Sequence, residues 1–85
     1  MPQAALQRIR QLGLAGRFYI TPHARERMAE RGVEPADVQH GLTQARTAVW
    51  QPEHASWKVR TVDLVGDDLT LAVVIEASAI VVTVF

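Results

Sequence analysis

The chain has 85 residues, 48% of them hydrophobic and 21% charged, with nine Lys and Arg against nine Asp and Glu. This length and apolar content predict one small globular domain spanning residues 1–85, and exclude both a second core and an intrinsically disordered chain. With no cysteine there are no disulfides, thiolate nucleophiles or thiolate zinc sites, so neither metal nor cofactor is expected.

A compact chain of this length has a radius of gyration of about 12 Å, which leaves room for a shallow groove rather than an enclosed dinucleotide site. In chain order, Ala5, Leu6, Ile9 and Leu12 recur at three- and four-residue spacing, which predicts an amphipathic helix over about 2–14, closed by Gly13 and Gly16. Arg17-Phe18-Tyr19-Ile20 is a short β-prone run. Thr21-Pro22 then pairs a capping hydroxyl with proline at the first helical position, and Gly32 supplies the left-handed stop, bounding a helix over 22–31. A third helix is expected after Glu34-Pro35, with Val38, Leu42 and Ala45 as its apolar stripe.

Beyond it the pattern turns to β: Thr47 to Trp50, Trp57 to Val65, Leu69 to Ala77 and Ile80 to Phe85. The connections at 51–56, at Gly66-Asp67-Asp68 and at 76–79 are short enough to make these strands antiparallel neighbours, a meander of three or four strands. Ile80-Val81-Val82-Thr83-Val84-Phe85 is apolar on both faces, which calls for cover by helices or by a partner molecule.

No run approaches the ~20 apolar residues of a membrane span, and the opening Met1-Pro2-Gln3-Ala4-Ala5-Leu6 lacks the basic-then-apolar order of a secretion signal. A cytoplasmic protein with no membrane partner is expected. Zero net charge is unlike the strongly basic balance of many nucleic-acid binders. The distribution is uneven, however: residues 1–60 hold all nine bases and five of the acids, a net of +4, whereas 61–85 carry Asp63, Asp67, Asp68 and Glu76 and no base, a net of −4. A neutral total therefore hides a dipolar molecule with one anion-attracting face.

The strongest local feature lies in the second helix. His23, Arg27 and Arg31 recur every four residues and fall within an arc of about 80° at 100° per residue. One titratable imidazole and two forked guanidiniums suit a phosphodiester, because arginine grips phosphoryl oxygens in pairs and histidine moves protons near neutral pH. RNA cleavage needs those parts: the 2′-hydroxyl must lose a proton, the 5′-oxygen must gain one, and phosphorane charge must be neutralised. The structural reading of the same residues is a solvated helix face, with the arginines paired to Glu26, Glu30 and Asp63 and the histidine in a capping or packing role.

His54 lies in a loop between Trp50 and Trp57, where it could stack on a base or carry a second proton. Both tryptophans are better suited to cross-strand packing. Lys58 and Arg60 alternate on one strand face and would extend a basic groove.

The order of a short strand, then Thr-Pro-His-Ala-x-x-Arg-Met-x-x-Arg-Gly-Val over 21–33, then Pro-x-Asp-Val over 35–38, then strands closing on Ile-Val-Val-Thr-Val-Phe, resembles a bacterial family. It is similar to domain of unknown function 4258, often placed near the RelE and BrnT toxins of toxin–antitoxin systems, over about residues 19–85, with the helix over about 2–14 as an extra N-terminal element.

The resemblance implies a RelE-like α+β fold: two or three N-terminal helices packed on a small, mostly antiparallel sheet of three to four main strands. It also implies a metal-independent ribonuclease with His23, Arg27 and Arg31 as the catalytic set and Thr83 as an added substrate contact, with RNA and a cognate antitoxin as partners. On this reading His23 is the general acid or base, Arg27 and Arg31 clamp the phosphate, and Lys58, Arg60 and His54 touch substrate. The competing reading is a non-enzymatic interaction module of the same fold, holding an acidic partner or forming a homodimer through the C-terminal strand edge near Phe85.

Overall fold

The computed structural model describes residues 2–85 and has a radius of gyration of 11.2 Å. It contains helices α1 (Pro2–Leu14), α2 (Pro22–Arg31) and α3 (Pro35–Thr43) and strands β1 (Phe18–Ile20), β2 (Thr47–Gln51), β3 (Ser56–Val62), β4 (Asp68–Ile75) and β5 (Ala79–Val84). The five strands form one mixed sheet in the order β1-β5-β4-β3-β2. The expected meander is present from β2 to β5, all antiparallel. The strand count was too low: the run Phe18–Ile20 is a fifth strand, and it pairs parallel to β5 with Phe18 opposite Ala79 and Ile20 opposite Val81. Among the described residues no helix is long and apolar enough to cross a membrane.

Helices α1 and α3 cover one face of the sheet. Ile9, Leu12, Val38 and Leu42 point into a core floored by Val59, Leu71, Val73, Val81 and Val84, all buried. The seam between α1 and α3 depends on Gly13. A Cβ there would sit 2.8 Å from both the Leu42 Cβ and the Thr43 backbone nitrogen, while the Gln39 side-chain amide donates to the Gly13 carbonyl at 3.1 Å. Alanine normally gains about 1 kcal/mol over glycine in a helix. Here the overpacking cost of about 1–3 kcal/mol exceeds that gain, so Gly13→Ala is expected to lower the urea midpoint of unfolding rather than raise it.

Strand β3 ends at Val62, three residues short of the expected Val65, because the Asp63 carboxylate accepts hydrogen bonds from the Val65 and Asp67 backbone amides at 3.0 and 2.9 Å and starts the turn early. That turn is tied to α3. Asp37 accepts from the Glu34 amide at 2.9 Å, closing the first turn of the helix, and from the Leu64 amide at 3.1 Å. These two donors, Glu34 first, hold the Asp37 carboxyl below its ordinary 3.8, with His40 adding a smaller pull in the same direction.

A carboxyl that is more acidic in the folded chain stabilises the fold above its unfolded value, and that contribution is lost as pH falls through the folded value. Unfolding free energy is therefore expected to decline below pH 3.8, with a shallower decline in Asp37→Asn when denaturant titrations are repeated across that range.

The two-faced apolar run of β5 has a structural reason. Ala72 pairs with Thr83 but Val73 pairs with Val81, so Val82 is an extra residue in a β-bulge. The bulge turns both Val81 and Val84 into the core although they are three apart. It also leaves Val82 and Thr83 half-buried on the outer face, where α2 covers them in part.

Where β1 stops, α2 takes over the same edge of β5. The Thr21 amide donates to the Val81 carbonyl at 3.1 Å, the Thr21 hydroxyl to the Val82 carbonyl at 3.3 Å, and the Arg27 Nε to the Val84 carbonyl at 3.5 Å. The expected free edge at the C-terminal strand is therefore corrected: β5 lies between β1 and β4, and the sheet edges belong to β1 and β2.

Candidate functional site

The helix that seals β5 also brings chemistry to the outer face of the sheet. Thr21 caps α2 by accepting the Ala24 amide at 3.1 Å, and Gly32 ends it at φ +68°. Ala24 and Met28 are buried on the core side, which turns His23 and Arg27 outward over Val82 and Thr83.

Opposite them stands the β2–β3 hairpin. Its loop closes through bonds from the His54 amide to the Gln51 carbonyl at 3.1 Å and from the Ala55 amide to the Pro52 carbonyl at 3.2 Å. Ala55 adopts φ +49°, a left-handed conformation that a non-glycine residue takes up only at some cost. His54 is held at the tip.

Between helix and hairpin lies a groove of about 530 Å³ whose lining includes His23, Arg27, His54, Lys58 and Thr83, with Ser56 and Ala72 buried along it. Two imidazoles, a guanidinium and an ammonium thus face one space. An extended anion can enter such an open trough with cations on both walls. Arg27 also meets Glu30 at 3.3 Å, which agrees with part of the structural reading. That exposed pair is worth little, and its Nη1 partner leaves the other terminal nitrogen uncommitted.

The candidate residues divide by position. His23, Arg27, His54, Lys58 and Thr83 share the groove. Arg31 is exposed and outside its lining. The reason is length: Arg27 already reaches the carbonyl of Val84, the last residue of β5, and Arg31 lies about 6 Å further along the helix. Arg60 is displaced less. It lies two residues from Lys58 on the same face of β3 and lines two neighbouring depressions rather than the groove itself.

Trp50 and Trp57 pack edge to face at 5.2 Å across β2 and β3, on the opposite side of the sheet from Lys58, as cross-strand packing requires. Residue spacing alone did not single out Gln51, Ser56, Arg46 or Phe85. Gln51 and Ser56 are opposite one another in the last rung of the hairpin, so the register of β2 against β3 was the signal that could have found them.

Comparison with family models, with curated proteins and with solved structures finds no match to this chain.

Proposed function

We propose that the protein is a metal-independent endoribonuclease of toxin type, a RelE-like variant akin to domain of unknown function 4258, acting on RNA in the groove between α2 and the β2–β3 hairpin. The observation that carries this reading is the convergence of His23 and Arg27 from one element with His54 and Lys58 from another on a single open trough.

One imidazole accepts the proton of the 2′-hydroxyl as its oxygen bonds to phosphorus. The bond to the 5′-oxygen breaks, and the second imidazole protonates that leaving group, giving a 2′,3′-cyclic phosphate and a 5′-hydroxyl. We assign one of these roles to His23 and the other to His54, since both line the groove. Arg27 and Lys58 neutralise the charge that builds on the non-bridging oxygens. Thr83, half-buried in the same lining, supplies a hydroxyl to the phosphate or the ribose. In this reading the protein works in the bacterial cytoplasm and a small antitoxin protein restrains it.

The test is incubation of purified protein and of the His23→Ala Arg27→Ala variant with total RNA in chelator, with and without ribosomes, after circular dichroism has shown that both fold. Cleavage by the wild type alone, leaving cyclic-phosphate ends, supports the reading. Intact RNA in every lane sinks it. In that case the interaction-module reading gains, and the edges open to it are β1 and β2, where Tyr19 is 55% and Val49 54% exposed, not the C-terminal strand.

A further inference from the structure

The groove does not end at Lys58. The same side chain lines a second depression of about 500 Å³, toward the start of β2 and the end of β3, bordered by Arg46, Thr47, Arg60, Thr70 and Phe85. Lys58 and Phe85 belong to both depressions and form the divide between them.

Arg46 and Arg60 are exposed and enter the sheet side by side, the Arg46 amide donating to the Arg60 carbonyl at 2.9 Å. Phe85 is 50% exposed, and the Lys58 ammonium stands 5.5 Å from the centre of its ring. Asp68 is the acid in the lining of the second depression. Despite zero net charge, the outer face therefore carries a track of cations, Arg27, Lys58, Arg60 and Arg46, interrupted by one exposed aromatic ring.

We propose that this track is a binding path for single-stranded RNA, with Arg46 and Arg60 as a second phosphate subsite and the Phe85 ring as the platform on which an unpaired base stacks, one step from His23 and Arg27. Which nucleic acid is bound follows from the parts. Cations at intervals along a β-strand follow a backbone, Lys58 and Arg60 being about 7 Å apart along β3. An exposed ring between them is useful only to a strand whose bases are free to leave the helical stack. A duplex could use the cations but not the ring.

The proposal builds on the ribonuclease reading of the same face, yet binding can be measured without turnover. The probe is a labelled oligouridylate, alone and annealed to oligoadenylate, followed by fluorescence anisotropy over a range of salt in the His23→Ala background so that the strand stays whole. Loss of one stacked base costs about 5- to 150-fold in affinity. Phe85→Ala is expected to weaken binding of the single strand by that factor, Phe85→Trp to restore it, and the duplex to be indifferent to both.

Arg46→Ala and Arg60→Ala are each expected to reduce the slope of log K against log salt by about 0.7, the value for one single-strand phosphate. Equal affinity of the His23→Ala protein with and without Phe85→Ala, or an unchanged salt slope in both arginine variants, overturns the proposal. Binding that follows these expectations in a protein that cuts no RNA keeps the subsite and removes the nuclease. Cleavage that ignores Phe85, Arg46 and Arg60 does the reverse. If the wild type binds no RNA even at low salt, both readings fail and this face is left to an acidic protein partner.

Discussion

His23→Ala is expected to reduce RNA cleavage by about 10²- to 10⁴-fold, the usual contribution of one general acid or base, with the circular dichroism spectrum and unfolding midpoint unchanged. The separation of activity from stability follows from position. His23 is exposed at the second residue of α2, and the cap itself is made by Thr21 and the Ala24 amide, so deleting the imidazole leaves the helix start intact.

His54→Ala gives the complementary result. If the two imidazoles divide the acid and base roles, each single variant removes one limb of the pH profile of kcat/KM, and the double variant is little worse than either alone. Arg27 is a poorer first target, because it bonds the Val84 carbonyl and Glu30 and its loss also loosens the seat of α2 on β5. A His23→Ala protein that cuts as fast as wild type would remove this helix from the chemistry.

The largest expected effect on stability belongs to Leu42→Ala, at about 2–5 kcal/mol in urea unfolding. Leu42 is fully buried, and it is the residue whose Cβ lies against Gly13, so α1 has no room to slide into the space a shortened side chain would leave. Domains of this kind have only about 5–15 kcal/mol in total, which makes the variant marginal at physiological temperature. A loss within about 0.5 kcal/mol, the range of ordinary surface positions, would mean that the α1–α3 seam does not form as described.

Local signals in the sequence were reliable where the physics is local. Thr21, Pro22 and Gly32 bound α2 as their chemistry dictates, and the spacing of Ala5, Ile9 and Leu12 reports the buried side of α1. The paired hairpin strands β2 to β5 follow from short connections. What escaped depends on residues far apart in the chain. A run of three residues at Phe18–Ile20 has no periodicity to declare it a strand until Ala79–Val81 lies beside it.

The bulge at Val82 shows in the sequence only as an unbroken apolar run, which reads equally well as a doubly covered strand. The end of β3 was displaced by one aspartate side chain that captures two backbone amides. The same holds for the candidate site. Helical spacing put Arg31 in line with His23 and Arg27, and only the place where β5 ends under the helix excludes it from the groove. Lys58 and His54 were marked by their own residue types, whereas Phe85 and Arg46 acquire meaning only from their neighbours across the sheet.

The parallel pairing of β1 with β5 also orders events in time. Phe18 must find Ala79, 61 positions later, and α2 gains its seat on Val82 and Val84 only when that closure is made. Contacts so distant along the chain form late, because the entropy of closing the loop is spent before they return anything. Until that closure is made, His23 and Arg27 have no strand to hold them opposite Lys58. The groove between α2 and the hairpin is therefore the part of the surface that depends on the longest-range closure of the sheet, and refolding from denaturant is expected to restore it last.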